Sequence, residues 1–247
     1  VRAEPVEDLT GRRQVLIASA GALALPGVHA QAPHRPGDAL RPRPLVFPRD
    51  HGTHNDTRTE WWYLTGHAQD EKGREFGFQV TFFRSRVDGT QALQSRLAAK
   101  HLLFAHAAIT DVQNGQLLHD QRMARWNGDP PTQARRSVFA SEADTHVVLR
   151  DWHIERAPDG HYTTRISSDA LNIDLRAQPQ QAWLLQGEEG FSRKGPDASQ
   201  ASFYVSHPQL SVQGTLGIGQ QRFTVRGTAW LDHEWSEALL HPEAVGW

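Results

Sequence analysis

The chain has 247 residues and a formal net charge of −2, with 26 basic and 28 acidic side chains interspersed along it. It contains no cysteine, which excludes a disulfide framework, a thiolate metal site and a cysteine nucleophile. Hydrophobic residues make up 38% of the chain, enough for a packed core, and the mean hydropathy of −0.58 argues against stable membrane insertion. Because neither sign of charge is concentrated in a stripe, we expect no nucleic-acid partner.

The first element is an apolar run behind a basic pair. Arg12 and Arg13 precede the run 15–26, which has the length of the apolar region of an export signal and is too short to span a bilayer. Small residues at 28 and 30 fit a cleavage site, so we predict a signal peptide over residues 1–30 and a periplasmic or secreted protein. The paired arginines suggest the twin-arginine route. Acidic residues ahead of the pair leave a buried N-terminal helix as the alternative.

The next element, residues 31–46, is a proline-rich linker that we expect to be extended, because proline lacks an N–H and fixes φ. Beyond it, apolar residues recur with a period of two, as in residues 76–83 and 171–176, which is typical of half-buried strands. Asn114-Gly115 and Asp159-Gly160 predict hairpin turns. About ten short strands without a long amphipathic helix predict an all-β fold, either a sandwich or, as we favour, an antiparallel β-barrel.

A polar and aromatic cluster covers residues 51–63. His51 and His54 lie three residues apart beside carboxylates, a spacing that could bind a metal. The stretch does not look helical, and a loop bonded to its own backbone followed by a core strand explains it more simply. We therefore predict no metal site. The candidate ligand-binding residues of this cluster are Glu60, Trp61, Trp62 and Tyr63.

A single histidine stands in the next apolar strand. Phe104, His106 and Ala108 share one face of the predicted strand, so His106 lies among apolar residues. Such a histidine is usually a satisfied core group, but one that faces a cavity could donate a hydrogen bond to a ligand. His106 is therefore a candidate ligand-binding residue. A basic loop at residues 192–196 is predicted to be a solvated turn in which Arg193 or Lys194 could meet an acidic headgroup.

The last cluster covers residues 229–236 and places Asp232 and His233 between two tryptophans, Trp230 and Trp235. Burial beside aromatic rings raises the pKa of a carboxyl group and makes it a proton donor near neutral pH, and a ring face can stabilise a cation. This pairing suits protonation of a C=C bond followed by addition of water. A structural junction, with Asp232 capping a turn and the tryptophans packed, explains the same residues equally well.

Taken together, these segments resemble the carotenoid 1,2-hydratase and AttH-like family of lipocalin-like predicted secreted hydrolases. The resemblance covers about residues 45–247, and the stretches that carry it are 47–51, 59–66, 76–84, 104–108, 186–195, 201–206 and 230–236. It implies two lipocalin-like barrels in tandem. The first would occupy residues 47–205, and residues 206–247 would form the junction and the start of the second.

The resemblance also implies a function. In hydratase members of the family an Asp-His-x-Trp segment is implicated in activity, which maps onto Asp232 as acid, His233 as the base that orients water and Trp235 as cation stabiliser. Exported members tend to accompany an ABC transport system, whereas true carotenoid hydratases generally lack an export signal. The leading hypothesis is therefore an exported protein that binds an apolar, isoprenoid- or lipid-like molecule with no cofactor. Trp230 joins its ligand-binding candidates, and the alternatives are a cofactor-free hydratase (a hydro-lyase) and a structural envelope protein.

Overall fold

The computed structural model describes residues 40–130 and 138–238. The predicted signal peptide, most of the proline-rich linker and the last nine residues lie outside the described residues. Within the described ranges, no helical segment has the length and apolarity that crossing a bilayer requires. Residues 40–46, the described end of the linker, contain neither helix nor strand, and Leu40 and Leu45 pack against the buried rings of Phe203 and Trp235.

The described residues form one antiparallel sheet of thirteen strands. Short 3-10 turns at Arg49–His51 and Asp88–Thr90 are the only helical pieces in these ranges. The strands are β1 Thr59–Asp70, β2 Glu75–Arg86, β3 His101–Asp111, β4 Gln116–Trp126, β5 Val138–Ala140, β6 His146–Leu149, β7 Trp152–Arg156, β8 Tyr162–Ser167, β9 Leu171–Pro179, β10 Leu184–Leu185, β11 Phe191–Arg193, β12 Ala201–Ile218 and β13 Gln221–Ser236.

The sheet curls into a nearly closed barrel. Its strands follow the order β4-β3-β2-β1-β13-β12-β9-β8-β7-β6-β5, with β10 and β11 paired to β12. The two ends of this path approach each other, because β4 lies against β5, β6 and β9. Arg122 on β4 bridges the gap: its Nη2 donates to the Ser167 carbonyl at 2.7 Å, and its guanidinium lies 4.5 Å from the Trp152 ring centroid. The prediction of an all-β antiparallel barrel is confirmed.

The two predicted hairpins are also present, joining β3 to β4 and β7 to β8. Only the glycine of each pair has a positive φ, +61° at Gly115 and +88° at Gly160. The first turn is longer than the two-residue loop expected from Asn114-Gly115, since the Gly115 N–H bonds the Val112 carbonyl at 3.3 Å. A turn that ends on a left-handed glycine satisfies the strand twist without forcing the asparagine into that region.

The barrel interior is a packed core. Alternate residues of β2, namely Phe76, Phe78, Val80 and Phe82, are all almost inaccessible to solvent, as the period of two predicts. They belong to one cluster with Trp62, Leu64, Trp152 and side chains from most other strands. Burying each large apolar side chain contributes about 1.5–3 kcal/mol. The side chains on the inner face of the sheet thus form the packed core, and the partly exposed residues lie on the outer face.

The expected domain boundary between residues 205 and 206 lies in the middle of β12. Residues 206–236 lie in β12 and β13, and β13 pairs with β1 from Thr59 opposite Ser236 to Asp70 opposite Val225. This pairing closes one side of the barrel. A Cβ on Gly227 would lie 2.0 Å from the His67 carbonyl oxygen, so only glycine allows the close approach there. A second barrel beyond residue 238 stays a prediction.

Candidate functional site

Strand geometry divides the residues of the Asp232–Trp235 motif between the two faces of the sheet. His233 and Trp235 point into the barrel and are 1% exposed, whereas Asp232 and Glu234 point to the outer face. Successive side chains of a strand alternate between faces. The structure therefore does not bring Asp232 together with His233 and Trp235, because the sheet itself lies between them, and their shared catalytic role stays a prediction.

The same division applies to the ligand-binding candidates. Glu60 and Trp62 on β1 are fully buried in the interior, whereas Trp61 and Tyr63 line the outer face. Trp230, also on the outer face, is 36% exposed. His106 is exposed as well, with its ring 5.3 Å from that of Phe83, so it is not a core histidine. Glu60 thus belongs to a buried polar cluster and Trp61 and Tyr63 to an outer cleft, whereas Trp230 and His106 are not among the residues that line that cleft.

The buried polar cluster is centred on Glu60. One carboxylate oxygen, Oε1, lies 2.8 Å from His54 Nδ1 and 2.9 Å from His233 Nε2. The other, Oε2, accepts hydrogen bonds from Arg84 Nε at 3.0 Å and from the Thr53 hydroxyl at 2.6 Å. Burial alone would raise the pKa of Glu60, but the Arg84 charge and the two histidines outweigh it and hold that pKa well below its ordinary value.

Arg84 is itself fully buried and has its hydrogen-bonding capacity met. Its Nη2 donates to the His54 carbonyl and to the Thr57 hydroxyl, both at 2.8 Å, and its Nη1 donates to the Thr57 carbonyl at 3.0 Å. Nη1 also lies 3.3 Å from His101 Nδ1. A buried ion pair offsets its desolvation cost only when further hydrogen bonds satisfy both partners, and this pair meets that condition. The loop 53–57 therefore wraps the guanidinium.

The pKa values of the two histidines of the cluster shift in opposite directions. His54 bonds Asp50 as well as Glu60, at 2.9 and 2.8 Å, and these two carboxylates raise its pKa against the effect of burial. Burial lowers the pKa of His233, which Glu60 only partly opposes. His54 stacks on Trp235 at 3.8 Å and His233 on Trp62 at 4.8 Å. Trp235 is therefore a stacking partner inside the core.

One ligand atom each of His54, Glu60 and His233 lies within 4.8 Å of the others, a set that could hold a metal ion. The Arg84 guanidinium argues against that interpretation, because it already neutralises Glu60 from 3.0 Å in a solvent-free position. A divalent ion there would add charge beside a buried cation. We interpret the cluster as a hydrogen-bonded network that fixes the loop 50–58 on the barrel.

The buried histidines predict that stability falls as the pH drops from about 6.5 to 4.5. Burial lowers the pKa of His51 to about 3 and that of His101 to about 4, from an ordinary 6.5. Between these folded pKa values and 6.5, the two histidines bind protons in the unfolded chain but not in the folded chain. Each histidine therefore lowers the free energy of unfolding by up to about 1.4 kcal/mol for each unit by which the pH falls. The raised pKa of His54 stabilises the folded chain at low pH, a contribution that is lost as the pH rises, so His54 does not contribute to this fall. Urea unfolding at several pH values measures the slope.

A matched variant isolates one contribution to that slope. His101→Asn keeps an acceptor near Arg84 but cannot titrate, so it should reduce the slope by the equivalent of about one proton. A stability that is flat or rises toward pH 4.5 would contradict the assignment of neutral buried histidines.

The outer cleft lies across β2, β1, β13 and β12 and has a volume of about 630 Å³. Aromatic rings line one part of the cleft, and two carboxylates and one ammonium group line the other part. Its lining residues are Thr59, Trp61, Tyr63, Gln79, Thr81, Phe83, Lys194, Tyr204, Asp232 and Glu234.

Glu234 and Lys194 form an ion pair at one end of the outer cleft. Lys194 Nζ lies 2.8 Å from Glu234 Oε1 and 4.7 Å from the centroid of the Tyr204 ring. The Ser202 hydroxyl also donates to Glu234 Oε1. Burial raises the pKa of Glu234, with Lys194 and Ser202 acting in the opposite direction. Lys194, predicted to lie in a solvated turn, thus meets an acid of its own chain.

Asp232 stands beside Glu234 on the same face. Its Oδ1 accepts hydrogen bonds from the Ser206 hydroxyl and from Trp230 Nε1, each at 2.5 Å. No ion pair between residues of the described ranges includes Asp232. Burial, together with Asp232 and Glu234, raises the pKa of Tyr204 to about 12. Sequence reasoning did not select Glu234, although the period of two places it on the same face as Asp232. It also missed Tyr204, which the β12–β13 pairing sets opposite Glu234.

The fold and this arrangement define a class: an antiparallel, nearly closed β-barrel of the lipocalin-like type, with a filled interior and an open outer cleft. The sequence model of the AttH-like family matches residues 38–247, and the chain belongs to that family.

Two solved structures place the fold among known proteins. An AttH protein of Nitrosomonas europaea is 42% identical with a TM-score of 0.73, over 85% of this chain and 61% of that one. Kievitone hydratase from Nectria haematococca is 10% identical with a TM-score of 0.50, over 81% of this chain and 54% of that one, a likeness of fold alone. The chain spans less than two thirds of either protein. No protein of curated function matches its sequence.

Proposed function

We propose that the protein binds an apolar small molecule, isoprenoid- or lipid-like, in the outer cleft. The observation that carries this proposal is the position of the Trp61, Tyr63 and Phe83 rings, which line an open cleft instead of the core. A volume of about 630 Å³ lies within the range of small-molecule sites, and such sites combine apolar walls with a few polar groups. Asp232 and Glu234 supply the polar groups.

The filled interior supports an outer location for the ligand. Lipocalin-type barrels that carry a ligand inside need space between their inward side chains. Here Trp62, Phe76, Phe82 and Trp152 occupy the interior and are at most 1% exposed. A molecule of isoprenoid size would have to displace several of these rings, at a cost of a few kcal/mol for each ring that loses its packing.

Export and a partner form the second part of the proposal. The apolar run behind Arg12 and Arg13 supports delivery to the periplasm or beyond. An ABC transport system as partner rests on the family resemblance. Cell fractionation of the full-length protein, with and without an Arg12→Lys, Arg13→Lys change, would test the twin-arginine route.

Replacing Trp61 by alanine should weaken binding of an apolar ligand by roughly 10- to 30-fold, because a buried tryptophan contact often contributes about 2 kcal/mol. The ligand would first be identified by native mass spectrometry and lipid extraction of the full-length protein, and its affinity then measured by titration. The control is Leu117→Ala on β4, which is 64% exposed and outside the cleft, and should change affinity less than twofold. Equal affinities for the two variants would contradict the proposal, and a protein that carries no ligand would favour a structural envelope role.

A second candidate function is a cofactor-free hydratase. The observation that favours it is the raised pKa of Glu234 in a cleft with aromatic walls. The Glu234 carboxyl would protonate one carbon of a C=C bond, the ring faces of Trp61 and Phe83 would stabilise the carbocation, and water would add to it and return a proton to Glu234.

In this candidate function we propose Glu234, instead of Asp232, as the acid. In the full-length protein, Glu234→Gln should abolish hydration of an isoprenoid olefin, while Asp232→Asn should retain it in part. Turnover that survives Glu234→Gln in a folded variant would exclude this chemistry.

A further inference from the structure

We propose that the outer cleft selects ligands that carry an ammonium group at the end of an apolar body. This inference rests on the proposed function, since it names the class of ligand for the same cleft. It adds a charge preference that neither the fold nor the apolar walls require.

The first observation is that the cleft already holds one ammonium group, its own. Lys194 Nζ lies between the Glu234 carboxylate, at 2.8 Å, and the face of Tyr204, at 4.7 Å from the ring centroid. The side chain of Glu234 is 2% exposed, so this carboxylate is built into the cleft wall. A carboxylate and an aromatic face on either side of a cation is the arrangement by which proteins recognise organic ammonium ions.

The second observation is the balance of charge. Asp232 and Glu234 face the cleft with a single cation, Lys194, which leaves one negative charge in excess among the lining residues. Asp232 is bonded by neutral donors, Ser206 and Trp230, and the described residues offer it no ion pair. A cationic ligand would therefore gain attraction from Asp232, and an anionic ligand would meet repulsion.

The third observation is the register of the strands. Glu234 stands directly opposite Trp61 on β1 and Tyr204 on β12, and Asp232 stands opposite Tyr63 on β1. Residues paired across antiparallel strands have their Cβ atoms about 4.5–5.5 Å apart. Each carboxylate is thus set beside an aromatic side chain, so an ammonium group at Asp232 would have the ring of Tyr63 within reach while its apolar tail lies along Trp61 and Phe83.

The test compares three probes of equal chain length on the full-length protein by calorimetric titration: octyltrimethylammonium, octanol and octyl sulfate. We expect the ammonium probe to bind about tenfold more tightly than octanol, and the sulfate to bind most weakly. Asp232→Asn should remove most of that preference. Asp174→Asn, a carboxylate on the outer face of β9 that is 56% exposed, is the control and should change nothing.

Lys194→Ala gives the sharpest result, because its effect has opposite signs under the two electrostatic alternatives. If the cleft selects ammonium groups, removing the competing Lys194 should tighten binding of the ammonium probe several-fold. If Lys194 instead recruits an anion, the sulfate probe binds best in the original protein and loses affinity in Lys194→Ala, which overturns the inference. Equal affinities for the ammonium probe and octanol would also overturn the ammonium preference, but they would leave the proposed function standing. If Trp61→Ala changed the affinity of none of the probes, both the ammonium preference and the proposed function would be contradicted.

Discussion

Arg84→Met should lower the free energy of unfolding by about 4 kcal/mol, because it leaves the Glu60 carboxylate buried without its compensating charge. Glu60 and Arg84 are both fully inaccessible to solvent, and their contact of 3.0 Å joins β1 to β2. The substitution also removes the Arg84 N–H that donates to the buried Thr57 carbonyl. Urea unfolding of the variant measures the loss.

Two further variants make that measurement specific. Arg125→Met, an exposed arginine on β4, should cost less than about 0.5 kcal/mol. The double variant Glu60→Gln, Arg84→Met should be less destabilised than the sum of its single variants, because the amide needs no counter-charge. If Arg84→Met alone lowered the free energy of unfolding by less than about 1 kcal/mol, the result would contradict our interpretation that the buried polar cluster fixes the loop 50–58 on the barrel.

Trp235→Ala should cost about 4 kcal/mol of stability, while Asp232→Asn should cost less than about 1 kcal/mol, although the two residues lie three positions apart. Trp235 is 1% exposed and stacks on His54 and Phe203, so its removal leaves a large cavity. Asp232 is half-buried at the cleft, where water can replace lost hydrogen bonds. Thermal and urea unfolding of both variants, followed by ligand titration, separates stability from binding.

We expect the two variants to have opposite effects in the two measurements, with one variant losing stability and the other changing ligand affinity. Trp235→Ala should be destabilised but, where it remains folded, should bind ligand within about threefold of the original protein, whereas Asp232→Asn should be stable and altered in binding. Loss of binding in both variants with intact folds would restore the view that Asp232, His233 and Trp235 act together on one ligand.

The strands themselves could be predicted because their signal is local. The period of two in residues 76–83 assigned Phe76, Phe78, Val80 and Phe82 to one face, and all four are buried. The glycines at 115 and 160 marked real hairpins for the same reason, since a positive φ is a property of a single residue. The interpretation of residues 51–58 as a loop whose polar side chains bond its own backbone agrees with the Thr57 hydroxyl, which donates to the His54 carbonyl at 2.8 Å.

The sites could be predicted only in part because they depend on pairing between distant strands. The prediction treated residues 232–235 as one site, whereas the alternation that had located the strands already separates Asp232 from His233. The partners that give each residue its role come from elsewhere: Arg84 through the β1–β2 register and Lys194 through the loop before β12. No local pattern specifies these registers, so the buried polar cluster and the outer cleft had to come from the structure.

A crystal structure of the full-length protein with octyltrimethylammonium would locate the ligand without assuming its site. We expect the ammonium group beside Asp232 and Tyr63 and the alkyl chain along Trp61 and Phe83, with the interior side chains unmoved. A ligand inside the barrel, with the Phe76 and Phe82 rings displaced to admit it, would contradict the outer cleft as the binding site.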